Sequence, residues 1–303
     1  MNIISYRKFW IGLSVVMVLI SAVVIIFFRP NLGIDFTGGT LVEIKTSDNI
    51  QIGDVRTRAE QILNSKEVVV QESGTNQFII RTKSLEGDGY NKFADDLTRA
   101  VPDVIILRHE SIGAIVGADL TRKAIYGILT ASALIIIYLA YAFRSVPRSV
   151  SPWAFGTIAI GVLLHDLSVS FAIFSIIARV VGYEIDSMIV VAILTILGFS
   201  VHDTIVIFDR IRENIIKNSH ISLADNANVS VNQTFARSLN TSLTVVLVLI
   251  SMLILGGSTT KPFVLMLAIG ISIGTYSSIF IAAPTLVYWF DYKNKTKNSQ
   301  VKK

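Results

Sequence analysis

The chain contains no cysteine among its 303 residues, and charged residues make up only 16% of it. The absence of thiols excludes disulfide bonds, thiolate metal sites and a thiol nucleophile. The low charge, with 52% hydrophobic residues and a mean hydropathy of +0.60, excludes a soluble domain of ordinary composition. The composition therefore predicts a polytopic membrane protein.

Basic residues outnumber acidic residues by 27 to 22, which could suggest a nucleic-acid partner. They cluster at the ends of apolar stretches and in the C-terminal tail, however, rather than on an amphipathic face with interleaved aromatic residues. We therefore expect no nucleic-acid binding and interpret the positive charge as a determinant of membrane topology.

Six apolar stretches approach the roughly 20 residues that a helix needs to cross a bilayer. They cover residues 9–28, 124–143, 153–178, 187–208, 238–256 and 263–290. The first follows two basic residues, as a signal sequence does, but it is too long for an ordinary apolar signal core and ends without a small-residue cleavage site. We expect residues 1–29 to remain as a signal anchor.

The basic residues of the short loops predict the orientation of the chain. One side of the membrane carries Arg7, Lys8, Arg144, Arg148, Arg210, Arg212, Lys217, Arg237, Lys293, Lys295, Lys297, Lys302 and Lys303. The opposite side carries only Arg179 and Lys261. Both termini are therefore predicted to be cytoplasmic, with an exported domain at 30–121 on the far side of the membrane, a five-helix bundle at 122–291 and a basic cytoplasmic tail at 292–303.

The predicted exported segment alternates strand and helix periodicities. Strands are predicted at 41–45, 67–71, 77–82 and 104–107, and helices at 52–64 and 90–100. The resulting β-α-β-β-α-β order is that of a small α+β ferredoxin-like domain. At about 70 residues such a domain holds only a modest core, so we expect it to lean on the membrane part or on a partner.

Glycines occur in two informative places. Residues 31–40 read N-L-G-I-D-F-T-G-G-T, but no helix with a Lys-Ser/Thr pair follows, so the segment is interpreted as a turn at Gly38 and Gly39 rather than a phosphate loop. In the last apolar stretch, Gly270 and Gly274 are spaced as in a G-x-x-x-G motif, which predicts close packing between helices.

An aspartate lies inside the fourth apolar stretch, where Asp203 follows His202 and precedes Thr204. An ionisable group near the centre of a spanning helix costs about 2.5–3.5 kcal/mol even on lenient insertion scales, so it usually faces a bundle interior and handles ions or protons. Asp203 is therefore the leading functional candidate. His202 and Thr204 are secondary polar candidates, for which packing is the simpler interpretation.

Arg237, at the start of the fifth stretch, can lie at the level of Asp203. A nearby guanidinium favours an ionised carboxylate and desolvation favours a protonated one, so movement of Arg237 could load or release a proton. The two residues are predicted to form a proton relay. The alternatives are a structural ion pair and an interfacial arginine.

A second aspartate, Asp166, follows His165 in the third stretch. Helical rise places it about 10 Å further out than Asp203, so the two do not form the level pair that an intramembrane aspartyl protease requires. Asp166 is interpreted as a polar link between helices, with a second relay station as the alternative. Neither histidine belongs to an H-E-x-x-H pattern, and no metal, cofactor or catalytic residue is predicted.

Five motifs occur together in one order. They are G-I-D-F-T-G-G-T at 33–40, V-G-A-D-L-T-R-K-A at 116–124, H-D-L-S-V-S at 165–170, G-F-S-V-H-D-T-I-V-I-F-D-R-I-R-E-N at 198–214 and Q-T-F-A-R-S-L-N-T-S-L-T at 233–244. In these motifs the chain resembles the SecF family, the smaller half of the bacterial SecDF complex in the resistance-nodulation-division superfamily. The resemblance covers nearly the whole chain.

The resemblance implies an accessory subunit of the Sec translocase in the bacterial inner membrane, with residues 30–121 in the periplasm, that uses the proton-motive force to draw polypeptides from the SecYEG channel. SecD is the implied partner and supplies the other six-helix half, with SecYEG, YajC, the translocating polypeptide and membrane lipids as further partners. The residues that match the family's proton site are Asp203 and Arg237. The alternative is one half of a proton-driven small-molecule exporter of the same superfamily.

Overall fold

Six of the described helices are long and apolar enough to cross a membrane, which confirms the predicted number of spans. The computed structural model describes residues 2–47, 50–85, 87–144, 152–218 and 220–301. Three of the basic residues that predict the orientation, Arg148, Lys302 and Lys303, lie outside these ranges.

The helices and strands follow one another without long gaps. The helices are α1 (Arg7–Phe27), α2 (Ile34–Thr37), α3 (Ile52–Leu63), α4 (Gly89–Ala100), α5 (Ala114–Ala142), α6 (Pro152–Val181), α7 (Ser187–Lys217), α8 (Leu223–Leu255), α9 (Lys261–Ser277) and α10 (Ala283–Val301). The strands are β1 (Asn31–Leu32), β2 (Gly39–Lys45), β3 (Val69–Gly74), β4 (Gln77–Thr82), β5 (Ile105–Ile112) and β6 (Glu184–Ile185). A π-helical turn at Ser278–Ala282 joins α9 to α10, so these two form one span.

The chain forms two compact units. The helical unit comprises Met1–Arg29, Gly127–Arg179 and Val191–Lys303, and the sheet unit comprises Pro30–Tyr126 with Val180–Val190. The segment 180–190, which mostly lies in the loop between the third and fourth predicted spans, joins the sheet unit because its strand β6 pairs in parallel with β1.

The sheet unit contains a four-stranded antiparallel sheet with the strand order β3-β4-β2-β5. The chain runs through β2, α3, β3, β4, α4 and β5, the order that periodicity predicts. Alternate strand residues such as Val42, Ile44 and Ile80 pack against Phe93 and Leu97 of α4, forming the core. Strand β5 continues to Ile112, beyond the predicted end at 107, and its Arg108 pairs with Glu43 of β2 and with Glu110.

Two consecutive glycines connect α2 to β2 in conformations that other residues rarely adopt. Gly38 has φ of 72° and Gly39 has φ of 142°. A Cβ atom on Gly38 would lie 2.8 Å from the Cα of Ala114, and one on Gly39 would lie 2.7 Å from the carbonyl oxygen of Thr82. The turn that the sequence predicts at these glycines therefore requires both backbone freedom and the absence of a side chain.

Gly39→Val is expected to destabilise the attachment of β2 while leaving membrane insertion intact. Backbone strain alone costs about 1–3 kcal/mol, and the close carbonyl of Thr82 cannot give way without disturbing β4. Limited proteolysis of residues 30–121 in isolated membranes measures the effect. Gly113→Val is the matched control, because a Cβ atom there meets nothing within 4 Å. Equal protease resistance of the two variants would contradict the prediction.

In the helical unit, α9 approaches α7 closely at the predicted glycine pair. A Cβ atom on Gly270 would lie 2.2 Å from Cδ1 of Ile196, and one on Gly274 would lie 3.2 Å from Cβ of Ser200. The small residues thus bring the backbone of α9 against α7 over one helical turn. This approach places the polar side chains of the two helices within hydrogen-bonding distance of shared partners.

Candidate functional site

Asp203 is buried in the helical unit, where its residue is 6% exposed. Ser242 of α8 donates a hydrogen bond from Oγ to Oδ2 of Asp203 at 3.3 Å. Thr275 of α9 donates in turn to Oγ of Ser242 at 2.6 Å. Three spanning helices therefore meet at one carboxyl group through a chain of hydroxyls.

The hydroxyl of Ser242 has two acceptors but a single proton. Besides Asp203, it can donate to the carbonyl oxygen of Ser238 at 2.9 Å. An ionised carboxylate accepts hydrogen bonds, whereas a protonated carboxyl group can also donate one. The Ser242 hydroxyl can therefore take one of two orientations, towards Asp203 or towards the carbonyl oxygen of Ser238.

The secondary candidates beside Asp203 occupy different environments. Nδ1 of His202 lies 3.7 Å from Oδ1 of Asp203, too far for a hydrogen bond, and its side chain is 63% exposed. Thr204 is buried, with 1% of its surface exposed. His202 therefore points away from the packed interior, and Thr204 packs inside it.

Arg237 is exposed on α8, and the ion pairs between described residues do not include one with Asp203. It precedes Ser242 by five residues, which corresponds to about 7.5 Å of axial rise and a rotation of about 140°. The structure therefore brings Asp203 to Ser242 rather than to Arg237. A joint role of Asp203 and Arg237 remains a prediction.

Several polar side chains accompany Arg237 on the surface of the helical unit. They include five exposed residues of α7 and α8, namely His202, Arg237, Asn240, Thr241 and Thr244. Exposed polar groups at this depth are costly against lipid, because lipid tails offer them no hydrogen bonds. We name these five residues the polar face.

Asp166 forms a second buried cluster and is itself fully buried. Its Oδ2 accepts hydrogen bonds from Ser200 of α7 and from Ser277 of α9, the latter at 2.7 Å. Its Oδ1 lies 2.9 Å from Nδ1 of His165. Asp166 thus links α6, α7 and α9, as expected for a polar link between helices.

The two acids lie closer in level than the sequence predicts. Ser200, the partner of Asp166, precedes Asp203 by three residues on α7, about 4.5 Å of axial rise rather than 10 Å. The boundary of an apolar stretch is an inaccurate origin for such a count, because α7 continues to Lys217, beyond the end of its apolar stretch at 208. Each acid nevertheless has its own hydroxyl partners, and the hydrogen bonds between described residues do not join the two carboxyl groups.

The sequence analysis did not identify the hydroxyl groups that bond the two acids. These are Ser200 and Ser277 at Asp166, and Ser242, with Thr275 behind it, at Asp203. Their signal is weak, because serine and threonine in apolar helices usually bond a carbonyl one turn back, as Thr241 does with Arg237. The described residues also hold no group of three His, Asp or Glu side chains arranged to bind a metal ion.

The six spans and the buried polar clusters define a polytopic helical membrane protein. Residues 92–292 match the family described as protein export membrane protein SecD/SecF, C-terminal, and residues 23–50 match the SecD/SecF GG motif. The chain therefore belongs to the SecD/SecF family of protein export membrane proteins.

Relatives of known name agree with this assignment. The protein translocase subunit SecF of Thermobaculum terrenum is 38% identical over 95% of this chain and 93% of its own length. The SecDF subunit of Thermus thermophilus is 32% identical over 90% of this chain, which corresponds to 36% of the longer SecDF sequence.

The fold is similar to a solved structure as well. The crystal structure of SecDF from Thermus thermophilus, a translocon-associated membrane protein, matches 96% of this chain with a TM-score of 0.84 and 29% identity. The match covers 39% of the SecDF chain. This chain thus spans about two fifths of a protein in which SecD and SecF are joined.

Proposed function

We propose that this chain is an accessory subunit of the Sec preprotein translocase that works with SecD and couples proton flow to late steps of protein export. The observation that supports the coupling is the buried Asp203, held by the Ser242 and Thr275 hydroxyls inside a spanning helix. Membership of the SecD/SecF family supplies the export role. No covalent chemistry is required of the chain.

The polar face supports a second membrane half as the partner. Its exposed polar groups need hydrogen bonds that lipid cannot provide, and SecD would cover them with polar groups of its own. In this arrangement Arg237 and His202, the neighbour of Asp203, would face the interface with SecD, and Arg237 would act on the buried Asp203 from there. SecYEG, YajC, translocating polypeptides and membrane lipids are the other proposed partners.

The proposal includes the orientation of the chain. Both termini are cytoplasmic, and residues 30–121 are periplasmic and ferredoxin-like. The positive charges in the short loops support the orientation, and the strand order β3-β4-β2-β5 with two helices on one face supports the fold. The periplasmic position would let the sheet unit contact polypeptides that leave the SecYEG channel.

The energy available is sufficient for such a role. Each elementary charge that crosses the membrane yields about 2.3 kcal/mol per 100 mV. A few kilocalories per mole are enough to shift a two-state element substantially between its conformations. Asp203 would accept a proton from one side and release it to the other, and the Ser242 hydroxyl would turn with each change.

The chain alone is expected not to conduct protons, and the complex with SecD is expected to conduct them. The reason is that the polar face, which includes His202 beside Asp203, is covered only when the second half is present. Proton flux into liposomes under an applied potential, measured for the purified chain and for the complex, tests this. Empty liposomes and the Asp203→Asn complex are the controls. A monodisperse chain that conducts protons without SecD would contradict the half-transporter proposal.

A further inference from the structure

A second charged cluster lies in the sheet unit, on the face of the sheet opposite to α3 and α4. Nη1 of Arg81 on β4 lies 2.6 Å from Oε1 of Glu184 on β6, and the two side chains are only 15% and 10% exposed. Arg81 also donates to Oε1 of Gln71 at 2.8 Å. A shielded ion pair of this kind connects the four-stranded sheet to the segment that leads into α7.

Backbone hydrogen bonds also connect the segment that leads into α7 to the sheet unit, at residues 31–33. Leu32 of β1 pairs with Ile185 of β6, and the amide of Gly33 donates to the carbonyl oxygen of Ile185 at 2.7 Å. Oδ2 of Asp35 accepts from the amide of Ser187 at 2.8 Å. Because Ser187 is the first residue of α7, this bond satisfies one of the amides that a helix leaves free at its start.

The first turn of α7 is therefore held from two directions. Asp186, directly before the helix, accepts at Oδ1 from the amide of Ile189 at 3.1 Å, while Asp35 reaches Ser187 from a distant part of the sequence. A Cβ atom on Gly33 would lie 3.1 Å from the carbonyl oxygen of Ile185, so the two segments lie against each other without space for a side chain. This geometry leaves little freedom between the sheet and the start of the helix.

We propose that the Arg81–Glu184 ion pair and the Asp35–Ser187 hydrogen bond form a joint that positions the first turn of α7 against the sheet. Its function is to transmit displacement of α7, the helix that carries Asp203, to the sheet. The transmission of α7 displacement to the sheet rests on the proposed function. The contacts that form the joint do not depend on it. The joint stays closed during export, and Arg81 and Glu184 are its positioning residues.

The charges around the joint make it sensitive to pH. Burial raises the pKa of Glu184 to about 7, which Asp186 also favours and Arg81 opposes. Burial also lowers the pKa of Arg81, and Arg108 adds to that effect. The remaining charged or titratable groups near the joint are Asp35 on α2, Glu43 on β2, which pairs with Arg108, Glu110 on β5 and Tyr183 beside Glu184.

The sign of the pH effect follows from the two states of Glu184. Its pKa is about 7 in the closed joint and 4.5, the ordinary value, when the joint opens to solvent. The closed joint therefore binds more protons between these values and is favoured as the pH falls from 7 toward 4.5. Above pH 7 the ionised Glu184 depends on Arg81 to remain buried.

Because the chain has no cysteine, a cysteine pair can report whether the joint is closed. Leu32→Cys with Ile185→Cys joins two paired positions of β1 and β6, whose strand spacing suits a disulfide. In this background within the complete complex with SecD, Arg81→Glu is expected to reduce cross-linking roughly tenfold or more, since it buries two like charges. The double variant Arg81→Glu with Glu184→Arg is expected to restore it. Lys83→Glu, which breaks the exposed pair with Glu67, is the matched control and should have no effect.

The pH effect has its own measurement. The cross-linking yield of the cysteine pair is divided by the yield of the same pair carrying Glu184→Gln, so that the pH dependence of thiol chemistry cancels. The ratio is expected to be highest near pH 4.5 and to fall several-fold by about pH 7, because Glu184 ionises when the joint opens and glutamine does not. A ratio independent of pH would overturn the assignment of Glu184 as the sensitive group.

Export in energised vesicles tests whether the joint transmits displacement. Arg81→Glu is expected to lose the proton-driven part of export while proton flux and binding to SecD persist, and the charge-exchanged double variant is expected to regain it. The oxidised cysteine pair is expected to export normally, because the joint stays closed. Three results would each overturn the proposal. They are normal export by Arg81→Glu, no recovery of export in the charge-exchanged double variant, and export that stops when the cysteine pair is oxidised and returns when it is reduced. Loss of proton flux in the parent complex would instead reject the proposed function, while cross-linking would still report on the joint.

Discussion

Asp203→Asn is expected to abolish the proton-motive-force-dependent phase of protein export while leaving the chain inserted and bound to SecD. Asparagine keeps the size of the side chain, and its carbonyl oxygen can still accept from Ser242. It cannot exchange a proton with solvent, so the substitution separates proton transfer from packing. The measurement is export of a slow-folding secretory substrate into energised vesicles, with and without a protonophore.

The matched control for this variant is Asp209→Asn, two turns further along α7. Asp209 is a partly exposed residue paired with Arg212, so the same chemical change there removes only a surface interaction. Arg237→Met is expected to weaken the proton-driven phase, and His202→Phe to alter packing at the polar face. Wild-type export by Asp203→Asn would refute the relay. Loss of both export and binding to SecD would show that Asp203 is structural.

Much of the fold is predictable because long elements carry repeated signals. The six spans follow from length and hydropathy, and β4 has the predicted bounds, Gln77–Thr82. Helix α5 begins at Ala114, before the predicted start at 124, because hydropathy detects only its apolar part and not the charged first turns. The pairing of β1 with β6 could not be predicted, since two strands of two residues carry no periodicity and lie far apart in sequence.

The candidate site was predictable to a lesser degree. Asp203 could be identified because an acidic residue inside a spanning helix is energetically costly, and this is visible from one residue of the sequence. Its hydrogen-bond partner, Ser242, could not be identified from the sequence. The spacing of residues along a helix gives the level of a side chain, but not which neighbouring helix that side chain contacts. The level of Arg237 predicts a relay with Asp203, which stays a prediction; the alternative, an ion pair between the two, is not among the ion pairs of the described residues. The joint around Glu184 depends entirely on tertiary contacts and has no signal in the sequence.

Asp166→Ala is expected to destabilise the helical unit by about 2–4 kcal/mol and to reduce assembly with SecD, whereas Asp166→Asn is expected to preserve both. Alanine removes the acceptor that Ser200 and Ser277 share and leaves their buried hydroxyls without it. Asparagine retains a carbonyl oxygen for the two serines and places an amide beside Nδ1 of His165. Thermal unfolding of the detergent-solubilised complex measures the effect, with Asp209→Ala as the control.

The comparison of asparagine at the two acids distinguishes their roles. A polar link between helices needs a hydrogen-bond acceptor but no exchangeable proton, so Asp166→Asn should retain proton-driven export where Asp203→Asn loses it. Loss of proton-driven export by a stable, assembled Asp166→Asn complex would contradict the structural interpretation. The proton path would then include Ser200, because that residue bonds Asp166 and lies one turn from Asp203 on α7.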